Sequence, residues 1–155
     1  MFYWDTHCHI TDNVYKNENV DNIINKMKED GINCISMATD LNDAEKLIDY
    51  SSKYDNIYFG VGIHPYEARK YTKINDYHEK INNFIKKDLN NNKLLFFGEV
   101  GIDLYREEQV KTKNEQIELF EYFVYLSYIY DLPLSIHSRN AEKEIIYILK
   151  KYNKK

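Results

Sequence analysis

Residues 2–9 read FYWDTHCH, a short aromatic run that ends in two histidines separated by one residue. The run has the composition of a β-strand, and a polar segment with helical periodicity follows it. A doubly wound nucleotide-binding sheet would place a glycine-rich turn after its first strand, whereas this strand ends in His7 and His9. In a barrel of parallel strands, side chains from the carboxyl ends of many strands converge on one mouth. The stretch therefore favours a barrel.

The same strand-then-helix pattern recurs five times along the chain. The apolar segments that predict strands cover residues 2–4, 32–38, 57–63, 94–100 and 132–136. Such a repeat predicts a parallel sheet built from right-handed βαβ units. We therefore predict an α/β fold, a TIM-type (β/α)8 barrel of which this chain holds the first five βα units.

Helices are predicted to follow the strands, beginning near Val20, Asn42, Asn75, Asn114 and Asn140. An asparagine side chain can accept a hydrogen bond from a free backbone N–H, so Asn42, Asn75 and Asn140 are predicted N-caps. Gly31 is predicted to adopt the left-handed conformation just past the first helix. The fourth helix is apolar on more than one face, which predicts that it is largely covered.

The chain has 155 residues and a formal net charge of −4, which fits a single domain spanning residues 1–155. It lacks the basic field of a sequence-independent DNA binder, although an enzyme needs only a few local phosphate contacts. Two cysteines, Cys8 and Cys34, are too few to indicate a disulfide framework. Neither a signal peptide nor a run of ~18 apolar residues is found, so we expect a cytoplasmic protein without a membrane partner.

His7 and His9 are candidate metal ligands on the first strand. Residues two apart on a strand share a face, so these two imidazoles point the same way and Cys8 points oppositely. Two neighbouring imidazoles can bind one divalent cation. The alternative is a pair of ordinary surface or core histidines.

Glu99 lies in the stretch GEVGID at 98–103, which closes the fourth predicted strand between two glycines that permit close approach. A buried carboxylate needs a partner, and a cation is the natural one. A carboxylate can also bridge two metal ions, as a binuclear site requires. The alternative is an ion pair with Arg106 or Arg139. Asp103 suits the orientation of a ligand histidine, and a carboxylate at a helix start is nearly as good an interpretation.

Three further residues complete the candidate set at predicted strand ends. His64, in GIHP at 62–65, could contact a substrate phosphate, or it could simply cap a strand end. His137 follows the fifth apolar segment as a candidate metal ligand, and Arg139 suits a phosphate or an ion pair. His78 lies within a predicted helix and is predicted to be a solvated surface residue.

Four stretches carry these residues: DTHCHITD at 5–12, GIHP at 62–65, GEVGIDLYR at 98–106 and LPLSIHSRNA at 132–141. Together, and in this order, they resemble the TatD-type deoxyribonucleases of the amidohydrolase superfamily. The resemblance covers essentially the whole chain. It implies a (β/α)8 barrel, two divalent metal ions (Mg, Mn or Zn) and DNA as the substrate of a phosphodiester hydrolase.

The resemblance also implies a role for each matching residue. His7 and His9 would hold one metal, Glu99 would bridge both metals, and His137 would hold the second. Glu99 and His64 are the expected catalytic residues, and His64 and Arg139 would bind the substrate.

The sequence departs from the family pattern in two ways. Glu121 stands where the family helix after the fourth strand usually carries a glutamine. A typical barrel needs about 250 residues, and the family's later ligands, a His closing the sixth strand and an Asp closing the eighth, have no counterpart. We therefore expect a truncated amino-terminal portion, whose partner is either the missing carboxy-terminal half of the barrel or a second copy in a homodimer. The alternative functions are a C–N hydrolase of the amidohydrolase type and a diverged, non-catalytic metal-binding module.

Overall fold

A computed structural model describes residues 2–15, 18–71, 74–88 and 92–152. Its sheet contains five strands, β1 Tyr3–Cys8, β2 Ile32–Met37, β3 Ile57–Val61, β4 Leu94–Asp103 and β5 Leu134–Arg139. The strands are all parallel and lie in the order β1-β2-β3-β4-β5. The predicted α/β architecture of consecutive βα units is therefore confirmed, and the five strands form a half-barrel.

In the described ranges six helices connect or follow these strands: α1 Val20–Glu29, α2 Leu41–Lys53, α3 Ile74–Asp88, α4 Glu107–Val110, α5 Lys113–Tyr130 and α6 Glu142–Tyr152. Two 3₁₀ segments, Asn13–Tyr15 and Pro65–Lys70, lie in the loops after β1 and β3. The short helix α4 was not predicted. No helix in the described ranges is long and apolar enough to cross a bilayer.

The three predicted N-caps are wrong, whereas the start of the first helix and the left-handed conformation of Gly31 are confirmed. α1 begins at Val20 as predicted, and Gly31 beyond it has a φ of 73°. At α2 the cap is Asp40 rather than Asn42, because the Asp40 carboxylate accepts the N–H of Asp43 directly after β2. Asn75 lies inside α3, and Asn140 is left-handed, with a φ of 53°, two residues before α6 begins.

Three strands continue beyond their apolar runs. β1 extends to Cys8, β4 to Asp103 and β5 to Arg139, whereas β3 ends at Val61, two residues before its predicted end. The ladder between β4 and β5 pairs Gly101 with His137 and Asp103 with Arg139. The backbone hydrogen bonds of these strands continue through residues with polar side chains, so the apolar pattern alone could not indicate where the strands end. His137 therefore lies within β5, and Glu99 lies in the middle of β4 rather than at its end.

The hydrophobic core lies between the sheet and the helices in two clusters. One cluster surrounds β4, where Phe97 packs with Phe120 and Phe123 of α5 and Ile145 of α6. The other joins β2 and β3 to α1 and α2 through a set that includes Ile24, Leu47 and Phe59. The predicted cover over α5 holds for its inner residues, whereas Tyr128 and Ile129 at its carboxyl end are exposed.

Gly101 permits the close contact between β4 and β5 that carries His137. Its φ is 152°, and a Cβ at this position would lie 1.9 Å from the carbonyl oxygen of His137. We expect Gly101→Ala to lower the free energy of unfolding by about 2 kcal/mol or more, because backbone atoms must move apart. Urea denaturation followed by circular dichroism measures the change.

The matched control is Ser138→Ala, which alters an exposed side chain on the same strand pair. We expect this control to change the free energy of unfolding by less than about 0.5 kcal/mol. Equal stability of Gly101→Ala and the wild type would contradict the structural account of Gly101.

Candidate metal centre

Glu99 lies at the centre of a cluster of four histidines. Its Oε2 is 3.2 Å from His9 Nε2, 3.5 Å from His7 Nε2 and 4.0 Å from His64 Nε2. Its Oε1 is 3.0 Å from His137 Nδ1. The Glu99 side chain is only 11% exposed, so its charge is largely withdrawn from water. The structure thus brings together all the predicted metal ligands, with His64 beside them.

The parallel sheet explains why residues far apart in the chain meet here. His7 lies on β1, His9 directly follows it, Glu99 lies on β4, and His137 lies on β5. Their side chains converge at the carboxyl side of the sheet, as the barrel prediction requires. Gly98 beside Glu99 permits the close approach predicted for it, since a Cβ there would lie 2.6 Å from Ser135 Cβ.

The outer hydrogen bonds of the first two histidines turn Nε2 toward Glu99. His9 Nδ1 lies 2.8 Å from the carbonyl oxygen of Met37, so the Nδ1–H donates, and in the neutral ring Nε2 carries the lone pair. His7 Nδ1 lies 3.1 Å from Ser135 Oγ. The rings are thereby oriented as metal ligands are, with one nitrogen held by the protein and the other facing the centre.

His137 is held in the opposite sense, through Asp103. Its Nε2 lies 2.9 Å from Asp103 Oδ2, which leaves Nδ1 facing Glu99. Asp103 is fully buried, and its backbone N–H donates to Gln116 Oε1 at 2.7 Å. Of the two roles predicted for Asp103, the structure favours the orientation of a ligand histidine.

Two contributing residues were missed from the sequence. Gln116 lies in α5, which the sequence predicts to be apolar on more than one face, and nothing in the sequence links it to Asp103. Ser135 lies two residues before His137 on β5, so strand parity could have placed it on the same face. Glu121, where a family glutamine was expected, pairs instead with Lys151 of α6 at 2.9 Å.

His64 presents a hydrogen-bond donor to the centre. Its Nδ1 accepts the backbone N–H of Tyr66 at 3.2 Å, so in the neutral ring the proton sits on Nε2. That Nε2 lies 3.2 Å from His137 Nδ1. Burial lowers the pKa of His64 to about 4, which keeps the ring neutral at physiological pH. A neutral ring with Nε2–H suits contact with a substrate oxygen better than ligation of a cation.

The electrostatics of the cluster favour an ionised Glu99 carboxylate next to protonated His9 and His137. Burial opposes the charge on Glu99, but hydrogen bonds from His137 and His9 outweigh it and hold its pKa well below the ordinary value. The hydrogen bond to Glu99 is also the main cause of the raised pKa of both His9 and His137. A bound cation would compete with these protons, because metal ligands must be deprotonated.

Two groups of donor atoms share Glu99. The first is His7, His9 and Glu99, the second is His64, Glu99 and His137, and within each group the donor atoms all lie within 4.8 Å of one another. Imidazole nitrogens with a carboxylate suit zinc or manganese, and a carboxylate shared between two groups is what a binuclear site requires. The donor set present therefore fits divalent cations.

Three other sequence expectations have clear outcomes. Arg139 is exposed at the end of β5 and its guanidinium lies over the ring of Tyr105; an ion pair of Arg106 or Arg139 with Glu99 is not found in the described part of the chain. Cys8 faces away from the histidines, with Sγ 3.7 Å from the carbonyl oxygen of Ile35. His78, predicted to be a solvated surface residue, is partly exposed, and its ring stacks on Tyr122 of α5 with the ring centroids 3.6 Å apart.

A sheet of parallel βα units with a histidine and carboxylate cluster at the carboxyl side is the arrangement of barrel enzymes that use metal ions. The description "TatD related DNase" belongs to a family model that matches residues 4–155. The chain therefore belongs to the TatD family of metal-dependent hydrolases.

Individual relatives agree with this assignment. An uncharacterized metal-dependent hydrolase of Methanocaldococcus jannaschii is 32% identical over 148 residues, which are 96% of this chain and 55% of the relative. A protein of Schizosaccharomyces pombe named deoxyribonuclease Tat-D is 29% identical over 140 residues, 87% of this chain and 45% of that protein. The chain spans about half the length of the curated relatives it matches.

Solved structures show the same fold. The TatD homologue YJJV of Escherichia coli superposes with a TM-score of 0.83 at 22% identity, covering 97% of this chain and 56% of that one. A TatD-family hydrolase of Entamoeba histolytica also gives a TM-score of 0.83, covering 98% of this chain and 55% of that one.

The buried hydrogen bond that His137 Nε2–H donates to Asp103 predicts a measurable contribution of Asp103 to metal affinity. We expect Asp103→Asn to weaken Mn²⁺ or Zn²⁺ binding about tenfold, because His137 loses the charged acceptor that orients it. Isothermal titration calorimetry measures the affinity, and Asp55→Asn at an exposed surface site is the matched control. An unchanged affinity in a folded Asp103→Asn protein would show that Asp103 has no such role.

His64 and His137 should differ in their effect on metal binding. We expect His137→Ala to weaken Mn²⁺ binding at least about tenfold, whereas His64→Ala leaves it unchanged, because His64 Nε2 carries a proton rather than a lone pair. The same calorimetric titration decides the matter. A comparable loss of affinity in both variants would identify His64 as a ligand instead.

Proposed function

We propose that this chain carries the metal centre of a hydrolase that cleaves phosphodiester bonds of DNA with two divalent ions. The observation that carries the proposal is the buried Glu99, whose Oε2 faces His7 and His9 and whose Oε1 faces His137. A carboxylate between two ions is the arrangement that phosphoester hydrolysis by two metals needs.

The residues would divide the work as follows. His7 and His9 would hold one ion, His137 the other, and Glu99 both. When bound, such ions supply Lewis acidity and lower the pKa of a water molecule. Magnesium, manganese and zinc all remain candidates by ligand chemistry.

The protein's own groups would bind and orient the phosphate. His64 is neutral, half-buried and protonated on Nε2, so it can donate a hydrogen bond to a phosphoryl oxygen. Arg139 stands two residues beyond His137 on the same face of β5, where its guanidinium can contact a neighbouring phosphate. Asp103 keeps His137 in place while charge develops on the substrate.

The family and the positively charged Arg139 at the mouth of the site support DNA as the substrate. The S. pombe relative is named a deoxyribonuclease, and the family model is described in the same terms. Arg139 gives the centre a positive group although the whole chain has a net charge of −4. The substrate contacts would therefore be few and local rather than spread over a basic surface.

Metal-dependent cleavage of single- and double-stranded DNA tests the proposal. We expect Mn²⁺ or Mg²⁺ to support cleavage, a chelator to abolish it, and His7→Ala or His9→Ala to reduce it at least about 100-fold, since each removes a donor to the ions. A gel assay with labelled oligonucleotides measures the rates.

His78→Ala is the matched control, because His78 stacks on Tyr122 away from the centre. We expect it to retain full activity. Cleavage that persists in His9→Ala, or a folded, metal-loaded wild-type chain that cleaves no DNA, would contradict the proposal for this chain.

A further inference from the structure

We propose that Tyr105 is a positioning residue that holds Arg139 ready for a substrate phosphate beside the metal centre. The inference rests on the proposed phosphodiesterase function and adds a residue to which neither the sequence motifs nor the donor set assigns a role. It starts from one contact, in which the Arg139 Cζ lies 3.7 Å from the centroid of the Tyr105 ring.

The backbone brings these two residues to the same edge. Arg139 is the last residue of β5 and pairs with Asp103, the last residue of β4. The N–H of Leu104 donates to the carbonyl oxygen of Arg139 at 2.9 Å, so the chain after β4 stays beside β5. Tyr105 then follows one residue later, in position to place its ring under the guanidinium.

Strand parity directs Arg139 toward the substrate side of the centre. Arg139 and His137 lie two apart on β5, so their side chains leave the same face, about 7 Å apart along the strand. His137 faces Glu99. Arg139 therefore lies two residues nearer the mouth of the site than His137, within reach of a group bound at the centre.

The charge of Arg139 has no neutralising carboxylate partner among the described residues. In the described ranges no carboxylate lies within ion-pair distance of its guanidinium, while neighbouring acids such as Asp103 are already engaged. Stacking on an aromatic ring uses the face of the guanidinium and leaves the N–H groups at its edge free. A cation oriented in this way can make a two-point contact with a phosphate without first breaking an ion pair.

Tyr105 is itself fixed by the carboxylate that orients the metal ligand. Its backbone N–H donates to Asp103 Oδ1 at 2.9 Å, and Oδ2 of the same carboxylate holds His137 Nε2 at 2.9 Å. The ring is nevertheless 55% exposed, so it contributes little to the core. The Asp103 carboxylate therefore holds both His137 and the backbone of Tyr105, whose ring stacks on the Arg139 guanidinium.

A double-mutant cycle tests the positioning role. We compare four variants with the wild type in manganese-dependent cleavage of an oligothymidylate and in binding of its phosphorothioate analogue. The variants are Tyr105→Leu, Tyr105→Phe, Arg139→Ala and the double variant Tyr105→Leu/Arg139→Ala. We expect Tyr105→Leu to raise KM and the Kd of the analogue about threefold with kcat unchanged, the loss of one exposed cation–π contact. Tyr105→Phe keeps the ring and should match the wild type.

The decisive comparison is made in the Arg139→Ala variant, which lacks the guanidinium. In Arg139→Ala, which by itself weakens binding about tenfold or more, Tyr105→Leu should have no additional effect. Tyr147→Leu, at an exposed tyrosine on α6, is the matched control and should change neither KM nor Kd.

An equal effect of Tyr105→Leu with and without Arg139 would overturn the inference and leave the proposed function standing, as would an Arg139→Ala variant that binds the analogue like the wild type. A wild-type chain that binds the analogue but cleaves no DNA would contradict the proposed function, whereas the Kd measurements would still test the role of Tyr105. A wild-type chain that does not bind the analogue overturns both.

Discussion

The buried carboxylate of Glu99 is the constraint on which the site depends. Burial alone would favour the neutral acid, yet contacts with His9 and His137 hold the pKa of Glu99 below its ordinary value. Those histidines come from strands at opposite edges of the sheet, so the charge is satisfied only when β1, β4 and β5 are correctly aligned. The electrostatics of the centre therefore depend on the alignment of the sheet.

The outer contacts of the histidines matter as much as the histidines themselves. A backbone carbonyl holds His9, and the buried Asp103 holds His137, so each ring offers a chosen nitrogen to Glu99. His64 differs because a backbone N–H occupies its Nδ1 and places the proton on Nε2. Three chemically identical side chains are thus suited to the two proposed functions, metal ligand and hydrogen-bond donor, by the groups behind them.

The order of strands and the location of the centre were accessible from the sequence because they follow from patterns along the chain. Apolar segments followed by amphipathic helices indicated parallel βα units, and parity on β1 placed His7 with His9 and turned Cys8 away. The limits of the elements were less accessible. Asp40 replaced Asn42 as a helix cap, and β5 ran on to Arg139, because hydrogen bonds to neighbouring segments decide where an element stops.

By itself, then, the sequence determined the five βα units, the family and the residues able to bind metal, since periodicity and motif spacing are local properties of the chain. Only the tertiary structure decided that Gln116 supports Asp103 and that the Tyr105 ring stacks on Arg139. The reason is physical. Each of these relations joins residues on different elements, so it depends on strand register and side-chain direction, which are fixed only when the elements pack together.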